Sequence, residues 1–195
     1  FPYADGRKEI EKTMKATGIV RRIDDLGRVV VPKEIRKVLR IREGDPLEIY
    51  TGTAGEVILK KYSPIGELST FAKEYAEVLS QTTGMVSCIT DHDQVIAAAG
   101  QGSKEYVGKE ISSELEEVIF AREMKLSGAQ DRKKVAITTE QVKNSLAQII
   151  QPIISSGDAI GSVILIGKND RETIGNSEKL LVQTAAGFLG RQMEQ

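Results

Sequence analysis

Residues 18–37 read GIVRRIDDLGRVVVPKEIRK, a run of valines and isoleucines that carries six basic side chains: Arg21, Arg22, Arg28, Lys33, Arg36 and Lys37. Two strand signals stand in it, IVRRI at 19–23 and RVVV at 28–31. They are separated by Asp24, Asp25, Leu26 and Gly27, where a glycine able to take positive φ can close a hairpin. Pro32 stops the second strand and suits the first turn of a helix over 33–40, which ends before Gly44. On that helix Ile35, Val38 and Leu39 fall on one stripe, while Lys33, Arg36, Lys37 and Arg40 recur at i, i+3, i+4 and i+7 on the other. Arg21, Arg22 and Arg28 crowd the turn of the hairpin. Two basic clusters within thirty residues point to a polyanionic partner, where one alone would read as a solvated face.

Working outward, a second hairpin follows, LEIY at 47–50 and EVILKKY at 56–62 joined by TGTAG. Residues 14–62 hold eleven bases and seven acids, a net +4, whereas 63–195 hold thirteen and eighteen, a net −5. A basic front and an acidic rear imply two domains with different partners, hidden beneath a whole-chain charge of −1. Two hairpins and a short helix bury too little to stand alone in water, so the front is expected to pair with a second copy. A twofold pair doubles the basic surface and presents it in the symmetry a DNA duplex accepts.

In the rear, Ser63 and Pro64 cap a helix whose Leu68, Phe71, Ala72, Tyr75, Val78 and Leu79 recur at helical spacing. Strands MVSCIT and QVIAAA flank the turn Asp91-His92-Asp93, and a helix is expected near 112–125. The polar segment KLSGAQDRKK then leads to strands VAIT, LAQIIQPIIS and AIGSVILIG and a closing helix over 177–193. The turns are too short for parallel crossovers, which makes the rear α+β with a mostly antiparallel sheet. Small residues Ala185, Ala186, Gly187 and Gly190 on the last helix allow close packing on its own sheet or against a second copy.

The 195 residues, 40% hydrophobic and 28% charged, are ordinary globular composition. No apolar run reaches the roughly 18 residues of a membrane span, so no membrane contact and a cytoplasmic location are expected, and a duplex DNA partner makes that location nucleoid-associated. Residues 1–13 read as an extension or remnant outside the fold. Cys88 is the only cysteine and excludes an internal disulfide. His92, the only histidine, sits in an Asp-rich turn and suggests neither a metal site nor a catalytic triad. Gly100-Gln101-Gly102 lacks the Lys and spacing of a phosphate loop and reads as a flexible connection. No catalytic residue emerges, and an enzyme is not expected.

MKATGIVRRIDDLGRVVVPKEIRKVLRIREGDPLEIY resembles the AbrB-type swapped-hairpin DNA-binding domain, matching its TGIVR, acidic pair, LGRVV-x-P, E-[IL]-R and G-D-x-[LV]-E pattern nearly throughout. The resemblance implies a mainly-β interleaved dimer over 14–62, with Arg21, Arg28, Arg36 and Lys37 on double-stranded DNA. Arg22 and Lys33 belong to the same basic clusters and join them as candidates. Lys37 stands where the family commonly has arginine, which keeps charge and loses bidentate geometry. The rear, 63–195, resembles a GAF domain through its element order, EYVGKEIS, and QPIIS followed by AIGSVILIG. No cofactor is expected, and the resemblance leaves room for an unidentified small-molecule effector between the sheet and residues 103–134, where KLSGAQDRKK is polar and long enough to act as a mobile cover. The combination resembles a sporulation-type transcription regulator. If the heads pair as a homodimer through their hairpins and the rears pair through helices 64–82 and 177–193, two twofold contacts in one chain close into a homotetramer. An antitoxin-like partner of a toxin is the alternative, since related heads serve there.

Overall fold

The computed structural model describes residues 17–53, 55–63, 65, 69–140 and 146–194. The extension 1–13, the first residues of the head, and Pro64 and Leu68 of the expected rear helix lie outside the described residues. The chain divides into two compact units, one ending at Lys61 and one beginning at Tyr62.

In the first unit, Pro32 precedes α1 (Lys33–Val38), and the hairpin β1 (Leu47–Thr51) and β2 (Val57–Lys61) pairs antiparallel with Leu47 opposite Lys61 and Thr51 opposite Val57. Two expectations change here. The helix is shorter than 33–40: Leu39 caps it and Arg40 turns into the left-handed region at φ 51°, which takes Arg40 off the basic stripe. The segments 19–23 and 28–31 form no strand ladder among the described residues, where the one strand pair of this unit is β1 with β2. Only the turn between these segments is closed. Their apolar side chains therefore face solvent, Val20 at 84% and Val30 at 71%, as do Val38 at 80% and Leu39 on the expected core stripe of α1. Exposed β-branched residues beside unpaired backbone form a template for another chain.

The second unit is a five-stranded antiparallel sheet in the order β4-β3-β7-β6-β5, built from β3 (Val86–Thr90), β4 (Val95–Ala99), β5 (Lys125–Ser127), β6 (Gln148–Ser155) and β7 (Asp158–Ile166). Between β6 and β7, Ser156 and Gly157 both take positive φ, as a two-residue hairpin turn matched to strand twist requires. Alternate residues of the central strands serve two cores. Ile149, Ile153, Val163 and Leu165 meet α2 (Ser69–Thr83) and α4 (Asn176–Gln192) on one face, while Ile150, Ile164 and Ile166 meet α3 (Ser113–Ala121) and the loops around it on the other. Both faces are covered, which is why AIGSVILIG shows no polar alternation. Ala185 and Ala186 pack inward, and a Cβ on Gly190 would stand 2.1 Å from the Ile154 carbonyl oxygen, so glycine there sets how closely α4 lies on the sheet. Gly187 faces open space.

The region 125–138 differs from expectation twice. KLSGAQDRKK begins as the edge strand β5 and continues as a tied turn. Asp131 accepts from the Gly128 N–H at 2.7 Å, and the buried Lys134 ammonium donates to the Ala129 carbonyl at 2.7 Å. VAIT makes only a single bridge, Thr138 to Ile111, because residues 137–139 bond to 110–112 rather than to the sheet edge. Among the described residues no helix is long and apolar enough to cross a membrane.

Candidate nucleic-acid interface

The turn beneath the front cations is built by Asp24. Its Oδ1 accepts the backbone N–H of Leu26 at 3.0 Å and of Arg28 at 2.7 Å, and its Oδ2 accepts Nε–H of Arg28 at 2.8 Å. Backbone bonds from Asp24 N to the Arg28 carbonyl and from Gly27 N to the Asp24 carbonyl close it, with Gly27 at φ 75°. The Arg28 N–H, then its guanidinium, hold the Asp24 carboxyl below its ordinary value. Asp24 engages Arg28 through Nε and leaves the terminal nitrogens of that guanidinium for another acceptor.

Arg21, Arg22 and Arg28 are exposed around this turn, and Lys33 and Lys37 are exposed on α1. Arg36 differs from its neighbours on the stripe: it is half-buried, and its Nε is enclosed with no partner in the described chain. Behind α1, Lys61 donates to the Arg40 carbonyl at 3.0 Å and lies 3.7 Å from Asp45, whose carboxylate also caps the Arg42 N–H, so the end of α1 is tied to the hairpin β1–β2. Sequence reasoning placed Arg40 with the basic face because Gly44 looked like the helix stop.

In the second unit, Asp91 closes its turn by accepting the N–H groups of Asp93 and Gln94 at 2.7 Å each, and it also accepts the Ser63 hydroxyl at 2.7 Å. His92 stacks on Phe120, ring centroids 5.3 Å apart. Cys88 lies wholly buried, and burial pushes its thiol far up from the ordinary value, so it carries no thiolate. The segment Gly100–Gly108, read as a flexible connection, is instead a shaped wall: Gly102 at φ 86° starts a 3-10 turn over Ser103–Glu105 and buries Tyr106. Together with residues 138–140 and 166–168 it encloses a half-open cavity of about 610 Å³. KLSGAQDRKK contributes none of the described lining residues, because Lys134 anchors it elsewhere. A second, apolar groove of about 440 Å³ runs between α2 and α4 past Phe71, Val78, Leu181 and Phe188, where Tyr75 and Phe188 stack at 5.4 Å.

A basic, turn-centred head joined in sequence to a three-layered α/β/α rear defines a class: transcription regulators that join an AbrB-type head to a GAF-like domain. The chain belongs to the stage V sporulation protein T family, whose C-terminal family model, described as a transcription factor, matches residues 67–194. It is 52% identical over 182 residues to stage V sporulation protein T of Bacillus subtilis (strain 168), covering 93% of this chain and 100% of that protein. Its front is 59% identical over 51 residues to the transition state regulatory protein AbrB of the same organism, 26% of this chain and 52% of that one. The family model of the antidote-toxin recognition MazE bacterial antitoxin also matches, over residues 20–67. The rear shares its fold with the GAF domain of Acinetobacter phosphoenolpyruvate-protein phosphotransferase at TM-score 0.52 and 13% identity, across 65% of this chain and 81% of that one.

Proposed function

We propose that residues 14–62 form a head that grips duplex DNA through Arg21, Arg22, Arg28, Lys33, Arg36 and Lys37 after pairing with the head of a second copy. The observation that carries this is the coincidence of a closed, cation-ringed turn with two apolar segments that lack a ladder partner. Pairing supplies the missing strands, covers Val20, Val30 and Val38, and doubles the basic surface. Phosphate contacts dominate, because cations outnumber the amides that read base edges. Residues 63–195 form a GAF-like rear that joins two such dimers through the α2–α4 groove and takes a small effector in the cavity beside the 3-10 turn. The protein acts as a regulator in the cytoplasm, on the nucleoid, and not as an enzyme.

The match of residues 20–67 to an antitoxin model favours a second reading, in which the head belongs to a toxin's partner. Full-length likeness to a transcription regulator outweighs it, since the antitoxin match leaves most of the rear unaccounted for.

The experiment compares full-length protein with residues 14–62 on a duplex that covers one head and on a long duplex. A tetramer with two heads gains on the order of 10²-fold to 10⁴-fold on long DNA without new contacts. The head alone gains nothing comparable. Equal affinities of the two proteins on both lengths, or failure of either to bind DNA, would overturn the reading.

A further inference from the structure

The cavity of the second unit has a chemical signature that narrows what it can hold, and the inference rests on the proposal that it is an effector site. Its floor is apolar, formed by Val86 and Ile166, which pair across β3 and β7, with the buried Tyr106 beside them. Its polar side carries charges of both signs. Lys109 and Glu140 satisfy each other at 2.9 Å and strap residue 109 to residue 140 across the wall. Two further charges on the lining, the Glu105 carboxylate from the 3-10 turn and the Lys168 ammonium from the end of β7, have no partner among the described residues. One unpaired anion and one unpaired cation around an apolar floor match a molecule that brings an ammonium, a carboxylate and an apolar body. An anion alone would leave Glu105 facing it without compensation, and a cation alone would do the same to Lys168.

Size adds a second constraint. At about 30 Å³ per water, a space of 610 Å³ holds roughly twenty waters, and so a molecule of roughly that many heavy atoms. A single small amino acid leaves much of that space wet, whereas a peptide of two or three residues fills it. Its backbone amides also find the Thr138 hydroxyl and the main chain of Gly102 and Gly167 along the lining.

We infer that this cavity takes a short zwitterionic peptide with apolar side chains, its ammonium on Glu105 and its carboxylate on Lys168. Calorimetric titration of the full-length protein with leucyl-leucine tests this against three relatives: the N-acetyl form, which lacks the ammonium, the amide, which lacks the carboxylate, and the cyclic dipeptide, which lacks both. Both protein charges sit at the solvent rim, so each missing ligand charge should weaken binding about threefold to fivefold. Glu105→Gln should erase the penalty for N-acetylation and keep that for amidation, and Lys168→Gln should do the reverse. A merely structural role for either residue would not sort the penalties in this way. If both variants lose both preferences alike, or the wild type shows neither, the assignment fails. If the cyclic dipeptide binds as tightly as the linear one, the zwitterion class falls while the effector cavity stands. If none of the four gives saturable heat, the peptide assignment fails, whereas the effector cavity falls only if other classes of small molecule are silent too.

Discussion

Replacing Arg28 by Ala removes one cation per head and two per dimer, and its consequence can be worked out before the measurement. Each neutralised phosphate contributes about 0.9 to the slope of log affinity against log salt, so the slope should shrink by roughly 1.8. Taken to a 1 M reference, that is a loss of roughly thirtyfold at 0.15 M salt and roughly two hundredfold at 0.05 M. The mutant should look worst in dilute buffer and nearly normal in concentrated salt. The turn itself should survive, because Asp24 holds it through the backbone N–H groups of Leu26 and Arg28, which a change of side chain leaves in place. Arg28→Lys keeps the charge while losing the Nε bond to Asp24, and it separates electrostatics from turn geometry. The assay is fluorescence anisotropy on a labelled duplex from 0.05 to 0.3 M salt, with circular dichroism to show that the head is folded. A folded Ala variant with the wild-type slope would place Arg28 away from the phosphates and refute the argument.

Acid should loosen the head through Asp24. Its carboxyl lies below the ordinary 3.8 in the folded chain, so its stabilisation is complete above that value and is lost as pH falls through the lower folded one. Asp24→Asn should flatten the acid limb of the head's melting curve, and an unchanged limb would contradict this. Gly190→Ala should destabilise the rear by about 1–3 kcal/mol, because its Cβ meets the Ile154 carbonyl, whereas Gly187→Ala, facing open space, should stabilise it by about 0.5–1 kcal/mol. Chemical denaturation that ranks the two alike would show that α4 does not need its close approach. Val78→Asp combined with Phe188→Asp, both at exposed positions on the α2–α4 groove, should halve the sedimenting mass without changing the rear's circular dichroism. An unaltered mass would remove the groove as an assembly surface.

Much of this architecture is legible in the residues, and the misses have physical causes. The hairpin β1–β2 was plain because Gly44, Pro46 and Gly55 bracket it, and the buried strands β6 and β7 because no loop could be so apolar. Segments 19–23 and 28–31 carried an unambiguous strand pattern, but pattern reports which side chains want burial and not whether a partner backbone is at hand. Arg40 was assigned to the wrong face because a non-glycine residue at φ 51° leaves no mark in composition. In 125–138 the roles of connector and strand were exchanged. KLS pairs with β6 for only three residues, too short for a period to register, while the apolar VAIT spends its backbone on residues 110–112. A small-molecule site between the sheet and residues 103–134 is expected from the sequence; the cavity shares the sheet and the 3-10 turn with that expectation, while KLSGAQDRKK supplies none of its described lining. The glycines that shape its wall were read as slack, yet Gly102 and Gly108 at positive φ fold the segment back so that Tyr106 is buried.

The charge asymmetry of the chain follows from this division of labour. A head that must hold a polyanion keeps its contacting cations out of intramolecular pairs: of the six candidate residues only Arg28 meets a carboxylate among the described residues, through one nitrogen and by the residue that shapes its own turn. On the proposed pairing another copy covers the apolar surface left exposed at Val20, Val30 and Val38, which would make DNA binding and pairing a single requirement. A rear domain of net −5 brings no excess of cations to meet phosphates. Its value lies in what the head lacks: two full cores, which let α2 and α4 keep an outward apolar groove without losing the fold, and a walled cavity on the opposite face of the same sheet. Because β3 and β7 send alternate side chains to the groove-bearing face and to the cavity floor, a ligand that shifts Val86 or Ile166 acts on strands that also carry Ile89 and Leu165 beneath the helices. If α2 and α4 join two copies as proposed, a ligand in the cavity would act on that contact through these two strands.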